Sequence, residues 1–310
     1  MTQRASLLAV AVDLGGTQVR AALVDQTGAV LRRAAMATAA QGGPAAVTGQ
    51  IAEAAAKVSQ GVERARIVGL GICSPGPIDT ERGVALGIPT LKGFEDAPLK
   101  AMIGEATGLG VAIENDGIAA ALGEWRFGAG RGLSNLVYVT VSTGIGGGVV
   151  MDGRLAHGRK GLSAHIGHMT IVRDGELCAC GNLGCWEAYA NGAAFSRRAG
   201  PGADGAPRTV FAAAEAGDAR ALDLVAQEAD WLGVGIANLL HLYSPEAVIV
   251  GGGLSNGLAL MAPGIEARIR RAAMAPFRDI PVLRAALGDN SGLVGAAALA
   301  FDARAKGNHQ

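Results

Sequence analysis

Apolar positions fall into two kinds of stretch whose alternation along the chain predicts a mixed α/β protein. The run Leu7 to Val12 is unbroken, as in a strand buried on both faces, and it enters a turn at Gly15-Gly16 before a second apolar run from Val19 to Val24. From Pro44 to Ser59 the pattern changes: proline stands in the first turn, and Ala, Ile and Val recur on one face, which predicts a helix. Short strands are expected at Ile67 to Ile72, ending in Ser74-Pro75-Gly76-Pro77-Ile78-Asp79, and at Val111 to Ile113, ending in Glu114-Asn115-Asp116. A small-residue helix follows from Gly117 to Arg126. Strands alternating with helices imply a mostly parallel sheet covered on both faces.

Near Asn135 a second unit opens on the plan of the first. NLVYVTVSTGIGGGVVMDG runs from an apolar strand through Gly-rich turns and out again, as LLAVAVDLGGTQVRAALVD does, with Ser142 in the place of Asp13. Two related halves with a cleft between them are therefore expected. The second half continues with a long helix from about Ala219 to Leu242 and a strand from Ala247 to Val250 that enters Gly251-Gly252-Gly253. A last helix, capped near Asp289-Asn290-Ser291, runs to about Ala303, and residues 306 to 310 are expected to fray.

Composition narrows the class of protein. Half of the 310 residues are hydrophobic and only 17% are charged, so the chain can bury enough surface to fold. Basic and acidic residues both number 27, and this zero net charge argues against nucleic-acid binding of the electrostatic kind. No apolar stretch approaches the roughly 18 residues of a membrane span. The first apolar run is short, and Asp13 follows it with no small-residue cleavage site, against a signal peptide. Three of the four cysteines cluster at Cys178, Cys180 and Cys185, which in an unexported chain favours metal over disulfide and a cytoplasmic location. The 48 glycines show no collagen period and must be explained locally.

Their placement suggests phosphate binding. In DLGGT, Gly15 and Gly16 let the backbone approach an anion, Thr17 adds a hydroxyl donor, and Asp13 could orient a hydrated Mg²⁺. The same segment also fits an ordinary hairpin turn, but a matching turn from Ser142 to Gly148, with Thr143, Gly144, Gly146 and Gly147, strengthens the phosphate reading. Gly251-Gly252-Gly253 forms a third turn at a strand's carboxyl end, where open α/β sheets receive ligands. There is no GxxxxGK[ST], and the glycine spacing of these strand-end turns is not GxGxxG, so phosphates must be held mainly by backbone amides and hydroxyls. Asp116 is placed to accept a proton from an attacking substrate hydroxyl, with Asn115 binding a sugar hydroxyl; the pair equally suits a helix N-cap. His168, Cys178, Cys180 and Cys185 would fill a tetrahedral Zn²⁺ shell with no open position, hence a structural metal.

Taken together, DLGGT, Asn115-Asp116, STGIGGG, the segment ending at His168 and CACGNLGCWE resemble the ROK (repressor, open reading frame, kinase) sugar kinases, bacterial glucokinase-type members in particular, from about residue 8 to 303. The resemblance implies an actin-like ATPase (ribonuclease H-like) fold of two α/β domains with an intervening cleft. Residues 1–117 with 290–310 would form the first domain and 118–289 the second. It also implies ATP-dependent phosphorylation of the C6 hydroxyl of glucose, with Asp116 as general base. Gly76, Thr90, Asn115, His165, His168 and Glu187 would line the sugar site. Asp13, Gly15, Gly16, Thr17, Thr143, Gly144, Gly146 and Gly147 would serve the phosphates with Mg²⁺, and Gly252 and Gly253 the adenosine. A homodimer or tetramer is implied as well.

Two departures from the family stand out. Gln18 replaces the Lys that many members have after GGT, and His165 replaces the usual Glu three residues before His168. An imidazole donates and accepts differently from a carboxylate. His165 also looks like some bacterial N-acetylmannosamine kinases, which are the alternative within the family. Repressor members carry an N-terminal helix-turn-helix of several tens of residues, whereas twelve residues precede Asp13 here, so a repressor without kinase activity is disfavoured.

Overall fold

The computed structural model describes residues 6–201 and 206–307, so part of the tail expected to fray, from 308 on, lies outside the described residues. The chain divides into two compact units, one of Met1–Arg131, Ala156–Ser163 and Asn290–Gln310, the other of Gly132–Leu155 and Ala164–Asp289. Among the described residues no helix is long and apolar enough to cross a membrane.

In the first unit, β1 (Leu8–Leu14), β2 (Gln18–Asp25) and β3 (Val30–Ala37) precede helix α1 (Gly43–Ser59) and strand β4 (Ile67–Ser74). A small sheet of β5 (Ile78–Asp79), β6 (Val84–Leu86) and β7 (Glu95–Ala97) follows, then α2 (Leu99–Thr107), β8 (Val111–Asn115) and α3 (Asp116–Phe127). The main sheet has the order β3-β2-β1-β4-β8. Its first three strands pair antiparallel and only β1, β4 and β8 run parallel, so the sheet is mixed rather than mostly parallel. The links at residues 15–17 and 26–29 allow only hairpins, because a parallel crossover needs a dozen or more residues.

Side-chain size alternates along β1. Val10, Val12 and Leu14 enter a core with Ile51, Ala54 and Val58 of α1 and Ile103 of α2. Ala9 and Ala11 point to the other face, where Ala296, Ala297 and Ala300 of the C-terminal helix (Ser291–Gly307) cover them. Three glycines let this helix approach closely. A Cβ on Gly71 of β4 would overlap the Ala296 carbonyl, one on Gly295 the Ala119 carbonyl, and one on Gly123 of α3 the Ser291 carbonyl. Glu124, buried at the same seam, accepts hydrogen bonds from Ser291 Oγ at 2.7 Å and the Ala129 amide at 2.9 Å. This packing places α3 in the first unit, which therefore runs past residue 117 to Arg131.

The second unit repeats the plan. It holds β9 (Leu136–Val141), β10 (Ile145–Met151), β11 (Arg154–Leu155), α4 (Trp186–Ala190), α5 (Gly192–Ala199), α6 (Pro207–Glu215), α7 (Ala219–Tyr243), β12 (Ala247–Gly251), α8 (Leu258–Ala272) and β13 (Val282–Arg284). The sheet order β11-β10-β9-β12-β13 matches that of the first unit: β9, β10 and β11 pair antiparallel, and β12 and β13 lie parallel to β9. The pseudo-repeat in the sequence is thus a repeat of topology.

The glycine seam makes a stability prediction. Gly295→Ala should cost about 1–3 kcal/mol in denaturant unfolding, because its methyl group meets backbone that cannot give way. Gly49→Ala on α1, with nothing within 4 Å of the added carbon, should instead stabilise by about 0.5–1 kcal/mol.

Candidate functional site

In the first unit the DLGGT turn joins β1 to β2. Asp13 lies opposite Arg20 in the strand register, and the guanidinium donates to Asp13 Oδ2 from Nε at 3.1 Å and also from Nη2. Arg20 escaped the motif reading; its signal is cross-strand pairing, which becomes visible once the turn is recognised as a hairpin. Thr38 clamps the turn, its Oγ1 donating to the Gly15 carbonyl at 2.7 Å and its amide to the Thr17 carbonyl at 3.0 Å. Thr90 packs on the bare face of Gly16, where a Cβ would come within 2.6 Å of the Thr90 Cβ. The structure therefore brings Thr90, expected in a sugar pocket, against the first glycine turn.

The carboxyl ends of β1, β4 and β8 align in register, Asp13 beside Cys73, Cys73 beside Glu114, and Ser74 beside Asn115. Gly76 follows in the loop after β4. Burial, then the charges of Asp13 and Asp116, pushes the Cys73 thiol well up, so it is held neutral between two carboxyls. Asn115 is the N-cap of α3, its Oδ1 accepting from the Gly117 amide at 3.0 Å. Asp116 occupies the first helical position, and its Oδ1 accepts from the same amide at 2.7 Å. Both side chains thus meet the same amide of the first turn, and Asn115 stands at the N-cap position. Asp116 keeps a face open to solvent, yet protein around it displaces water and pushes its carboxyl up to about 6. The Gly117 amide opposes that shift, and the charge of Asp13 adds to it.

In the second unit the corresponding turn is short. The Ser142 amide donates to the Gly144 carbonyl at 2.9 Å, and β10 begins at Ile145, so Gly146 and Gly147 lie in the strand. Gly147 has a packing reason of its own: a Cβ there would overlap Ile166 and approach the Tyr138 carbonyl. Glu187 Oε2 accepts from the Ile145 amide at 2.8 Å and lies over Gly144. Gly252, at φ +78, presses on the backbone of Val141 at the end of β9, so the Thr143-Gly144 turn and the Gly252-Gly253 turn are neighbours. Space beside Gly253 is open within 4 Å. Helix α4, which carries Glu187, is anchored by buried Trp186. Its Nε1 donates to the Trp231 carbonyl at 2.9 Å, and its indole fills the room that Gly235 of α7 leaves.

Beside α4 the structure gathers His168, Cys178, Cys180 and Cys185, with ligand atoms all within 4.8 Å of one another. Cys178 Sγ lies 3.7 Å from His168 Nδ1, and Cys180 Sγ lies 3.7 Å from Cys185 Sγ. A tetrahedral ion with metal–sulfur bonds of about 2.3 Å sets sulfurs about 3.8 Å apart, so these edges suit such an ion. Asn182 Nδ2 donates to Cys185 Sγ at 3.4 Å and supports the cluster from outside. Glu187 Oε1 accepts from Cys178 Sγ at 3.6 Å and ties the cluster to the Gly144 turn. The His165 ring centre is 6.3 Å from that of His168; burial, with the neighbouring imidazole, lowers the His165 pKa and favours its neutral form.

Two α/β units, each with a glycine turn after its first strand and the same sheet order, define a protein with the actin-like ATPase fold. Residues 9–303 match the ROK family, and the chain belongs to it. The glucokinase of Streptomyces coelicolor is 37% identical over 94% of this chain and 97% of its own length. The N-acetylmannosamine kinase of Yersinia pseudotuberculosis serotype O:1b is 33% identical over 93% and 96%. Among solved structures, a ROK family glucokinase from Streptomyces griseus in complex with glucose and AMPPNP superposes with a TM-score of 0.84 at 37% identity, covering 95% of this chain and 99% of that one.

The environment of Asp116 can be checked directly. Its carboxyl should titrate near 6 by carbon-detected NMR, and Asp13→Asn should lower that value, because removing a nearby negative charge eases ionisation.

Proposed function

We propose that the protein is an ATP-dependent hexose kinase that phosphorylates the C6 hydroxyl of glucose. The observation that carries this reading is Asp116, a carboxyl held near 6 at the start of α3, with the DLGGT turn at the end of β1, two strands away across β4 in the same sheet. Its identity with glucokinases over nearly the whole chain supports the same reading. Asp116 takes the hydroxyl proton as the sugar oxygen bonds to the γ-phosphorus, and the bond to the β-phosphate oxygen breaks to release ADP. Amides of Gly16 and Gly144 and the hydroxyls of Thr17 and Thr143 would hold the phosphates beside Gly15, whose own amide donates to the Gln18 carbonyl at 2.9 Å, with Gly252 and Gly253 against the adenosine. Asn115, Gly76, Thr90, His165, His168 and Glu187 would orient the sugar. Asp13 would hold a hydrated Mg²⁺ that, when bound, neutralises charge on the β- and γ-phosphates.

The cluster of one imidazole and three thiols fits Zn²⁺ in ligand type and edge length, and four protein ligands leave no position for a reacting water. Its role in this reading is to stiffen the loop between His168 and Glu187. A second reading, an N-acetylmannosamine kinase, draws on His165: a half-buried imidazole kept neutral offers one donor and one acceptor where a carboxylate only accepts. Coupled ADP release with glucose, mannose, fructose, N-acetylmannosamine and N-acetylglucosamine separates the two.

Three outcomes test the proposal. Asp116→Asn should lose about 10²- to 10⁴-fold in turnover while remaining folded; wild-type turnover would remove Asp116 as the base. The unprotonated carboxylate is the active form, so kcat/KM should be level above about pH 6 and fall tenfold per unit below it. Metal analysis of natively purified protein should find about one zinc per chain, and chelation should lower Tm.

A further inference from the structure

Outside the residues assigned so far, the structure singles out residues 156–163. This segment belongs to the first unit, although the chain on both sides of it belongs to the second. It is fastened at three places. The Thr80 amide donates to the Lys160 carbonyl at 3.0 Å, Lys160 Nζ lies 3.9 Å from the buried Asp79 carboxylate, and His157 Nδ1 donates to Glu114 Oε2 at 2.9 Å. Gly161 closes the fit, since a Cβ there would overlap Thr80.

The third fastening lies beside the proposed base. Glu114 is 2% exposed and His157 50%. While Oε2 takes the imidazole, Glu114 Oε1 accepts from the Asn115 amide at 2.8 Å. Both oxygens of a buried carboxylate are thus committed, one to the strap and one to the peptide that begins α3. From that peptide the chain of hydrogen bonds continues: Asn115 Oδ1 and Asp116 Oδ1 share the Gly117 amide.

We propose that His157 is a positioning residue. By holding Glu114 it fixes the peptide that presents Asn115 and Asp116, and it thereby governs turnover rather than sugar affinity. The proposal rests on the kinase reading above. The strap runs on directly into His165 and His168, so the residues proposed to grip the sugar and the partner that orients the base occupy one short stretch of chain. If His157 served only to neutralise a buried carboxylate, its removal would lower stability and leave the folded enzyme's kinetics untouched. A misplacement of about 1 Å at a reacting group costs on the order of 10²-fold.

The test compares His157→Ala and His157→Gln with the wild type, using glucose, ATP and Mg²⁺, together with hydrogen exchange at the Asn115 amide. His157→Ala should lower kcat by about 10- to 100-fold with little change in KM for glucose. It should also speed exchange at Asn115. His157→Gln, whose side-chain amide can donate to Glu114, should restore most of both. Unchanged kcat in folded His157→Ala, a change confined to KM, or unaltered Asn115 exchange would overturn the proposal. If the wild type phosphorylates no hexose, the kinase reading fails. Asn115 exchange then decides alone whether His157 holds the base-bearing peptide.

Discussion

The first unit is organised around a seam where backbone meets backbone. Gly71 on β4, Gly123 on α3 and Gly295 on the C-terminal helix leave no room for even one methyl group between strand and helices. Glycine in a helix costs conformational entropy, so its presence at two facing helical positions is explained by the approach it permits. The approach has consequences at the amino-terminal ends of the same helices. It sets α3 so that Asp116 starts at the carboxyl end of the sheet, and it brings Gly292 to where a Cβ would lie 3.2 Å from Cys73 Sγ and 3.8 Å from Asp13 Oδ2. Alanine on one face of β1 and valine and leucine on the other express the same constraint in the strand.

Within that frame two carboxyls at the carboxyl end of the sheet meet different surroundings. Asp13 is engaged by Arg20 across the hairpin, whereas Asp116 has no cation among the causes that set its pKa and feels burial and the charge of Asp13. Burial and the nearby charge of Asp13 leave Asp116 with a proton to exchange near pH 6, as the proposed base role requires. Asn115 takes the capping role, and Asp116, one residue on, keeps a solvent-open face. Position 18 carries Gln rather than a cation, but the hairpin register places the Arg20 guanidinium two residues further on, against Asp13.

Much of the fold was legible in sequence. The helix expected over residues 44–59 spans Gly43–Ser59, the long helix expected from Ala219 ends at Tyr243, and the repeated strand-turn-strand plan proved to be a repeated sheet order. These features come from local periodicity and turn chemistry, which short segments carry by themselves. The small sheet of β5 to β7 was not legible, because strands of two or three residues are too short to show a period. Antiparallel pairing at the start of each sheet was recoverable from loop length but was masked by apolar runs that resemble parallel strands.

For the site, the sequence by itself determined the residue types. The cysteine and histidine spacing closes into one cluster, and the glycines fall where strands end. Tertiary structure decided who meets whom. It placed Thr90 on Gly16, Glu187 over Gly144, Gly147 under Ile166, and His157 on Glu114 across some forty residues of chain. The physical reason is range. Turns and caps are written within a few residues and the metal spacing between His168 and Cys185, while a buried carboxylate finds its partner only after the sheet has been assembled and water has been excluded around it.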